Sequence, residues 1–386
     1  MSKKYYPASD AFAALSPPVW RASTVVFDSV ESFINRKSRQ PDGYSYGITG
    51  TPTARLLEQE IARLEGGRHC AVTPSGQAAL CLAVMAFVKG GDHLLISAAS
   101  YGALKTYADK WLARLGVEVE YYPADIAGEI EDYIRSNTKM ICLEAPGTVT
   151  MEMADIPAIT AAAARQGVMT MMDNTWASPL GFRPLEHGVD LCVEAATKFF
   201  GGHSDLLLGA VTTNHFEYFS QLRETQSIMG LQTSPDDCFL VLRGLETFEL
   251  RYRRQSENAL AIASWLQQQS AVREVLFPCL PGDQGYELWK RDFAAGGCLF
   301  SFILQEDNEQ AYSAFFGALE HLALGASWGG VHGLIAFYPA QMQRERIFPR
   351  TDRAIIRLSA GLEDPALIIQ DLQAALRAYD ETRRPK

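Results

Sequence analysis

Apolar and polar positions follow no steady period through residues 1–50, where Pro, Ser, Gly and aromatic side chains are frequent. This stretch reads as an extended arm. At Thr51 a period of 3.6 sets in: "TPTARLLEQEIARLEGG" offers Thr51 as a cap, Pro52 at the first helical position, and Leu56, Leu57, Ile61 and Leu64 along one side. Gly66-Gly67 then stops the helix. Beyond it, short apolar runs alternate with helical ones. The predicted strands are 93–97, 117–122, 139–145, 168–173, 191–197 and 209–213, with helical patterns between most of them, such as "GALKTYADKWLARLG" and "DIPAITAAAARQG". Near-continuous apolar strands between helices predict an α/β fold with a mostly parallel sheet covered on both faces. Ligands on such sheets bind beyond the strands' carboxyl ends. A long helical stretch over 236–269 breaks the alternation. The strands "VREVLFP", "CLFSFIL" and "IIRLSAG" and the terminal helix "DPALIIQDLQAALRAYD" follow. The expected division is an arm at 1–50, an α/β domain at 51–244 and a smaller α+β domain at 245–386.

Composition narrows the function. The 386 residues are 47% hydrophobic and 21% charged, with a formal net charge of −10, a sequence pI near 5.3 and a mean hydropathy of −0.06. Basic clusters are scarce, which argues against a nucleic-acid partner. The opening "MSKKYYPASDAF" has no apolar h-region, and no apolar run is long enough to span a membrane, so a cytoplasmic protein is expected. The seven cysteines are scattered without a CxxC pair, and the seven histidines do not cluster with them. Reduced core thiols and no metal site are the expectation.

Candidate chemistry collects at predicted strand ends. Lys198, after "LCVEAAT", is either a lysine snorkelling out of a strand end or a side chain held in a partly apolar pocket, where it becomes a nucleophile or base. Asp173 ends another buried strand, as a turn aspartate or as the partner of a pyridinium nitrogen. Ser75-Gly76-Gln77 precedes an apolar helical run and offers free amides to a phosphate. Tyr101 follows the strand at 93–97, placed to stack on a planar ligand or to pack in the core. Arg357 stands inside an apolar strand and needs an anion, either a structural carboxylate or a substrate α-carboxylate. Ser327 and Trp328 lie in the glycine-rich loop "GASWGGVHG", which could line the same pocket.

The ordered runs "YGITGTPT", "LEGG", "TPSGQAA", "EAPGTVTMEMADI", "DNTWASP", "AATKFFGGHSD" and "IIRLSAGLED" resemble the cysteine/methionine-metabolism (transsulfuration) enzymes that use pyridoxal 5'-phosphate (PLP). The resemblance spans about residues 15–380. It implies the aspartate-aminotransferase type of PLP-dependent transferase fold (fold type I), usually a homotetramer of two dimers with shared active sites. Carried over by motif, Lys198 would hold the cofactor as a Schiff base and shuttle protons. Asp173 would pair with the pyridine nitrogen and Tyr101 would stack on the ring. Gly76, Gln77 and Thr197 would bind the phosphate, and Tyr46, or Tyr44, would reach it from a neighbouring subunit. Arg357 with Ser327 would take the carboxylate of a small amino-acid substrate, with Trp328 beside it.

Within the family, "SWGG" and "GTVTMEM" are similar to the branch that eliminates sulfur from Cβ of cystathionine. Methionine γ-lyases carry a cysteine where this chain has "SYGALK". The sibling reactions are γ-elimination and β-elimination from cystine or S-alkylcysteines, with alanine racemisation as a side activity. A PLP-binding regulatory protein is the alternative of another class. A nicotinamide oxidoreductase is disfavoured, because no G-x-G-x-x-G stands at a strand-to-helix turn. One departure stands out: relatives often have Tyr-x-Arg where this chain has Tyr46-Gly47-Ile48, so a phosphate arginine is missing.

Overall fold

After a single-turn helix at Val30–Ile34, a long helix begins where the sequence period begins. α1 (Pro52–Leu64) is capped by Thr51, whose side chain accepts from the Ala54 amide, with Pro52 in the first turn. The computed structural model describes residues 6–9 and 12–383. A short hairpin pairs Tyr6–Ser9 with Phe12–Ala14, and Val26, Val30 and Ile34 lie in solvent within this single chain.

Seven strands form the larger sheet: β1 (His69–Thr73), β2 (His93–Ser97), β3 (Glu118–Tyr122), β4 (Thr138–Glu144), β5 (Met169–Asp173), β6 (Leu191–Glu194) and β7 (Gly209–Thr213), in the order β1-β7-β6-β5-β4-β2-β3. Only β7 runs against its neighbours; the pairs from β6 across to β3 are parallel. The alternation expected of a sheet buried on both faces is realised residue by residue. Leu95, Ile141, Leu143 and Met172 point into one core, and Leu94, Ile96, Met140, Cys142 and Met171 into the other. β1 is absent from the expected strands. It has five residues and lies between the Gly66-Gly67 helix stop and the "TPSG" turn.

Helices cover the faces: α2 (Gly76–Met85), α3 (Gly102–Tyr107), α4 (Ile156–Arg165) and α5 (Phe216–Met229). The expected helix over 236–269 divides into α6 (Pro235–Leu245) and α7 (Phe248–Leu266). The break is set by packing on the turn after Lys198: the Arg251 guanidinium donates to the Gly244 carbonyl at 2.7 Å, and Gly244 packs so closely on Phe200 O that a Cβ would meet it at 2.2 Å.

The smaller sheet holds β8 (Val272–Leu276), β9 (Leu299–Leu304), β10 (Ala323–Leu324), β11 (Leu334–Tyr338) and β12 (Ile355–Ser359), in the order β8-β9-β12-β11-β10. β10 and β11 went unexpected, since the first has two residues and the second lies in a glycine-rich context. α8 (Pro365–Arg383) closes the chain over this sheet. One hydrophobic cluster runs from the larger sheet into the smaller, and Trp176 crosses between them by donating to Leu299 O at 2.8 Å. The described residues contain no helix long and apolar enough to cross a membrane.

The inner face of α1 carries charge that its period does not announce. Arg55 Nη1 lies 2.8 Å and Arg223 Nη2 2.5 Å from Glu58 Oε2, while Val72 N donates to Glu58 Oε1 at 3.1 Å. Burial works to raise the Glu58 pKa, but Arg223 and Arg55 outweigh it and hold the carboxyl below its usual value. Glu58→Gln would leave two buried guanidiniums short of charge. The expected loss is about 3 kcal/mol, read as a lower urea midpoint at neutral pH. A depressed carboxylate stabilises above its unfolded pKa and loses that contribution as pH falls through its folded value. The gap between wild type and variant should therefore shrink in acid.

Candidate active site

Three parallel strands, β4, β5 and β6, end side by side, and an ionisable group stands at or just beyond each end. A cavity of about 270 Å³ opens there, lined by Gly76, Gln77, Tyr101, Glu144, Asp173, Thr197, Lys198, Trp328 and Arg357 among others. Residues up to 256 positions apart in sequence, from Tyr101 through Asp173 and Lys198 to Arg357, thus face one space.

Lys198 follows β6 by four positions. Its Nζ donates to Ser327 Oγ at 2.8 Å and stands 5.4 Å from the centre of the Trp328 ring. No carboxylate pairs with it within ion-pair distance among the described residues. Burial, then the Arg357 cation, pull its pKa down to about 8, against a smaller opposing pull from Asp173. The segment after it is pinned from α7: Arg251 donates to Phe199 O at 2.8 Å, and burial brings its own pKa down to about 10. Gly329 completes the packing. Its φ of +80° suits glycine, and a Cβ there would come within 3.1 Å of Lys198 Cβ.

Asp173 ends β5. Its Oδ1 accepts from Thr175 N at 3.1 Å and Thr175 Oγ1 at 2.5 Å. Burial raises its pKa, with Thr175 and Lys198 opposing. Beyond it lie two more buried carboxyls: Glu194, raised by burial and by Glu65 and Asp173, and Glu65, pushed up to about 7 by burial. Cys192 Sγ donates to Glu65 Oε2 at 3.3 Å, and Asn174 Nδ2 donates to Glu194 Oε1 at 3.3 Å.

α2 aims its N-terminus into the cavity. Ser75 caps it by accepting from Ala78 N at 3.0 Å, which leaves the Gly76 and Gln77 amides without intrahelical partners. Gly76 approaches the strand so closely that a Cβ would meet Ala195 Cβ at 2.5 Å. Thr197 lines the same wall, but its hydroxyl already donates to Leu208 O at 3.1 Å and accepts from Leu208 N at 3.0 Å.

Arg357, on β12, is buried. Nη2 donates to Ala326 O at 2.7 Å, and the guanidinium lies 5.3 Å from the Tyr338 ring centre. It makes no ion pair among the described residues, and burial lowers its pKa. A structural salt bridge, the alternative reading of this residue, is therefore absent. Tyr101 is half in solvent at the mouth. Tyr46 is 54% exposed and does not line this chain's cavity, while Tyr44 lies 5.9 Å from the Arg55 guanidinium. Ile48 sits apart too, near Gly230.

Sequence reasoning missed Glu144, Arg251 and the Glu65–Glu194 pair. Glu144 alone carried a signal, as a carboxylate closing the apolar strand "KMICLEA". The others become visible only through contacts between distant segments.

The donor set has one consistent reading. Free amides at a helix N-terminus suit a phosphate, a buried carboxyl suits a protonated ring nitrogen, and a lysine with a lowered pKa suits a carbonyl carbon. The residues fit PLP. The family described as Cys/Met metabolism PLP-dependent enzyme matches residues 4–377. The chain is 37% identical over 380 residues to the cystathionine beta-lyase MetC of Escherichia coli, covering 97% of this chain and 95% of that one. It is 37% identical over 382 residues to the L-alanine/L-glutamate racemase of Wolbachia pipientis, covering 95% and 94%. A crystal structure of cystathionine gamma synthase from Xanthomonas oryzae pv. oryzae, in complex with aminoacrylate and cysteine, superposes with a TM-score of 0.89 at 32% identity, covering 97% of this chain and 96% of that one.

In ligand-free protein, Lys198 should be the lysine most readily alkylated near neutral pH, with half-maximal labelling at pH about 8. Arg357→Met removes a neighbouring cation and should move that midpoint upward. Peptide mass spectrometry across a pH series reads both.

Proposed function

This chain belongs to the Cys/Met metabolism family of PLP-dependent enzymes, and within that family we propose that it is a cystathionine β-lyase. It is a carbon–sulfur lyase, and the reaction proposed for it converts L-cystathionine and water to homocysteine, pyruvate and ammonia. The observation that carries this reading is Arg357: a buried cation without a carboxylate partner among the described residues, on the wall of the cavity that Lys198 also lines.

The geometry supports the following roles. Gly76 and Gln77 amides take the cofactor phosphate, with Thr197 beside them. Lys198 holds the cofactor through Nζ, Asp173 keeps the ring nitrogen protonated, and Tyr101 covers the ring. PLP, when bound, supplies the electron sink for the pair left behind at Cα. Arg357, with Ser327 and Trp328, binds the substrate α-carboxylate and so sets which Cα bond faces that sink. Lys198, displaced from its linkage, takes the Cα proton as general base, a role that burial favours by disfavouring its charged form. The Cβ–S bond breaks, the thiolate takes a proton and leaves as homocysteine, and water hydrolyses the three-carbon fragment to pyruvate and ammonia.

Two further parts belong to this reading. Tyr46 and the apolar residues of the 1–50 arm meet a second copy of the chain, giving shared sites in a dimer and a tetramer of dimers. The arm, the α/β domain at 51–244 and the α+β domain at 245–386 are its units. Alanine racemisation is a side activity in keeping with the racemase relative, since both reactions begin by removing the Cα proton. γ-Elimination is the rival to which the synthase neighbour gives weight.

Purified cofactor-loaded protein given L-cystathionine should release pyruvate and homocysteine. 2-Oxobutyrate with cysteine would move it to the γ-branch. Lys198→Ala should abolish turnover, and substantial residual activity would remove Lys198 from its role. Arg357→Lys should lower kcat/KM about 10- to 100-fold, the scale of one charge-assisted hydrogen bond.

A further inference from the structure

Glu144 is a buried cavity-lining carboxyl with no part in the steps above. The β4–β5 register sets it directly opposite Asp173 at the carboxyl ends of the two strands, and both reach the cavity. Each of its oxygens is committed. Oε2 accepts from the Tyr101 amide at 2.7 Å, and Oε1 accepts from the Thr148 hydroxyl. One side chain therefore ties a strand end to both Tyr101 and the turn that begins at Gly147.

Three charged groups face it from neighbouring elements: Asp173 on β5, Lys105 on α3, and Arg346 just past the helix Ala340–Arg344. Neither cation touches it. Lys105 Nζ donates to Ala98 O at 2.9 Å, and Arg346 donates to Thr150 Oγ1 at 2.8 Å and Thr148 O at 3.2 Å. Asp173 is faced in turn by Lys198 and Glu194. Burial first, and Asp173 second, push the Glu144 carboxyl up to about 8. Of two neighbouring buried carboxyls without a contacting cation among the described residues, ionisation of one opposes ionisation of the other.

We propose that Glu144 is a positioning residue of this active site: it fixes Tyr101 and the Gly147 turn, and its carboxyl, set beside Asp173, ionises only against the charge that Asp173 presents to a cationic ring nitrogen. The inference rests on the assignment of Asp173 to the ring nitrogen and Lys198 to the cofactor linkage. With the cofactor bound, the ring cation draws the charge onto Asp173 and Glu144 keeps its proton. Rising pH then ionises Glu144. The new anion favours retention of the proton on the Lys198 linkage, so that proton is held to higher pH than it would be without Glu144.

The test is a pH titration of the cofactor-loaded protein, followed by the cofactor's visible absorption and circular dichroism. Glu144→Gln keeps one acceptor for the Tyr101 amide but can never become an anion. Its midpoint should fall below that of wild type by about half a unit or more, the scale of a partly screened neighbouring charge. Thr148→Val keeps the carboxyl and its shape but removes a donor that favours ionisation, so its midpoint should fall by less. A role in packing alone would change band intensity or stability and leave the midpoint in place. A wild-type band that titrates, with an unmoved midpoint in both variants, overturns the role of Glu144 alone. If Glu144→Gln does not fold, an unmoved Thr148→Val midpoint overturns it by itself. A wild-type protein with no titrating visible band overturns the cofactor assignment and this inference with it.

Discussion

The parallel pairing of β4, β5 and β6 is the constraint on which the rest depends. Parallel neighbours must end on the same side, so Glu144, Asp173 and the chain leading to Lys198 are brought together by main-chain hydrogen bonds rather than by attraction between their charges. Left to electrostatics, the carboxyls at these ends would separate, since each is buried and Asp173 raises the pKa of both Glu144 and Glu194. The cores on both faces of the sheet supply the stability that holds them there.

That imposed crowding leaves the site electrically incomplete in the protein alone. Lys198 and Arg357 have no ion pairs among the described residues, each disfavours the charge of the other, and burial disfavours both. Asp173 is raised on the opposite wall. A ligand with a ring cation beside Asp173, a carboxylate beside Arg357 and a phosphate at the α2 N-terminus relieves each of these at once. Preorganised strain of this kind lets binding energy appear as orientation. By contrast, Glu58 with Arg55 and Arg223 is a charge cluster already complete, and it belongs to stability instead.

Second-layer contacts give the site its precision. Arg251 spends its donors on Phe199 O, Gly244 O and Thr247 Oγ1 rather than on any carboxylate. It thereby fixes the turn after Lys198 and marks the end of α6. Ser327 and Gly329 come from the smaller-sheet side and meet Lys198 directly, so the two sheets must be docked before the lysine has its environment. Trp176, which bridges the sheets, helps hold that docking.

Local chemistry written along the chain determined much of this protein. The Thr51-Pro52 start of α1, the alternation of apolar runs with helices, the mostly parallel sheet and the strand-end positions of Asp173 and Lys198 all follow from side-chain period and capping, which act within a few residues. The order of motifs also carried the family. Tertiary structure alone decided the rest. It set β1 beside β7, divided the helix after residue 235, left Arg357 without a carboxylate, engaged the Thr197 hydroxyl with Leu208, and put Glu144 against Asp173. Each of these depends on contact between segments far apart in sequence. Burial and neighbouring charge are properties of the assembled space, and so the pKa of Lys198 is too.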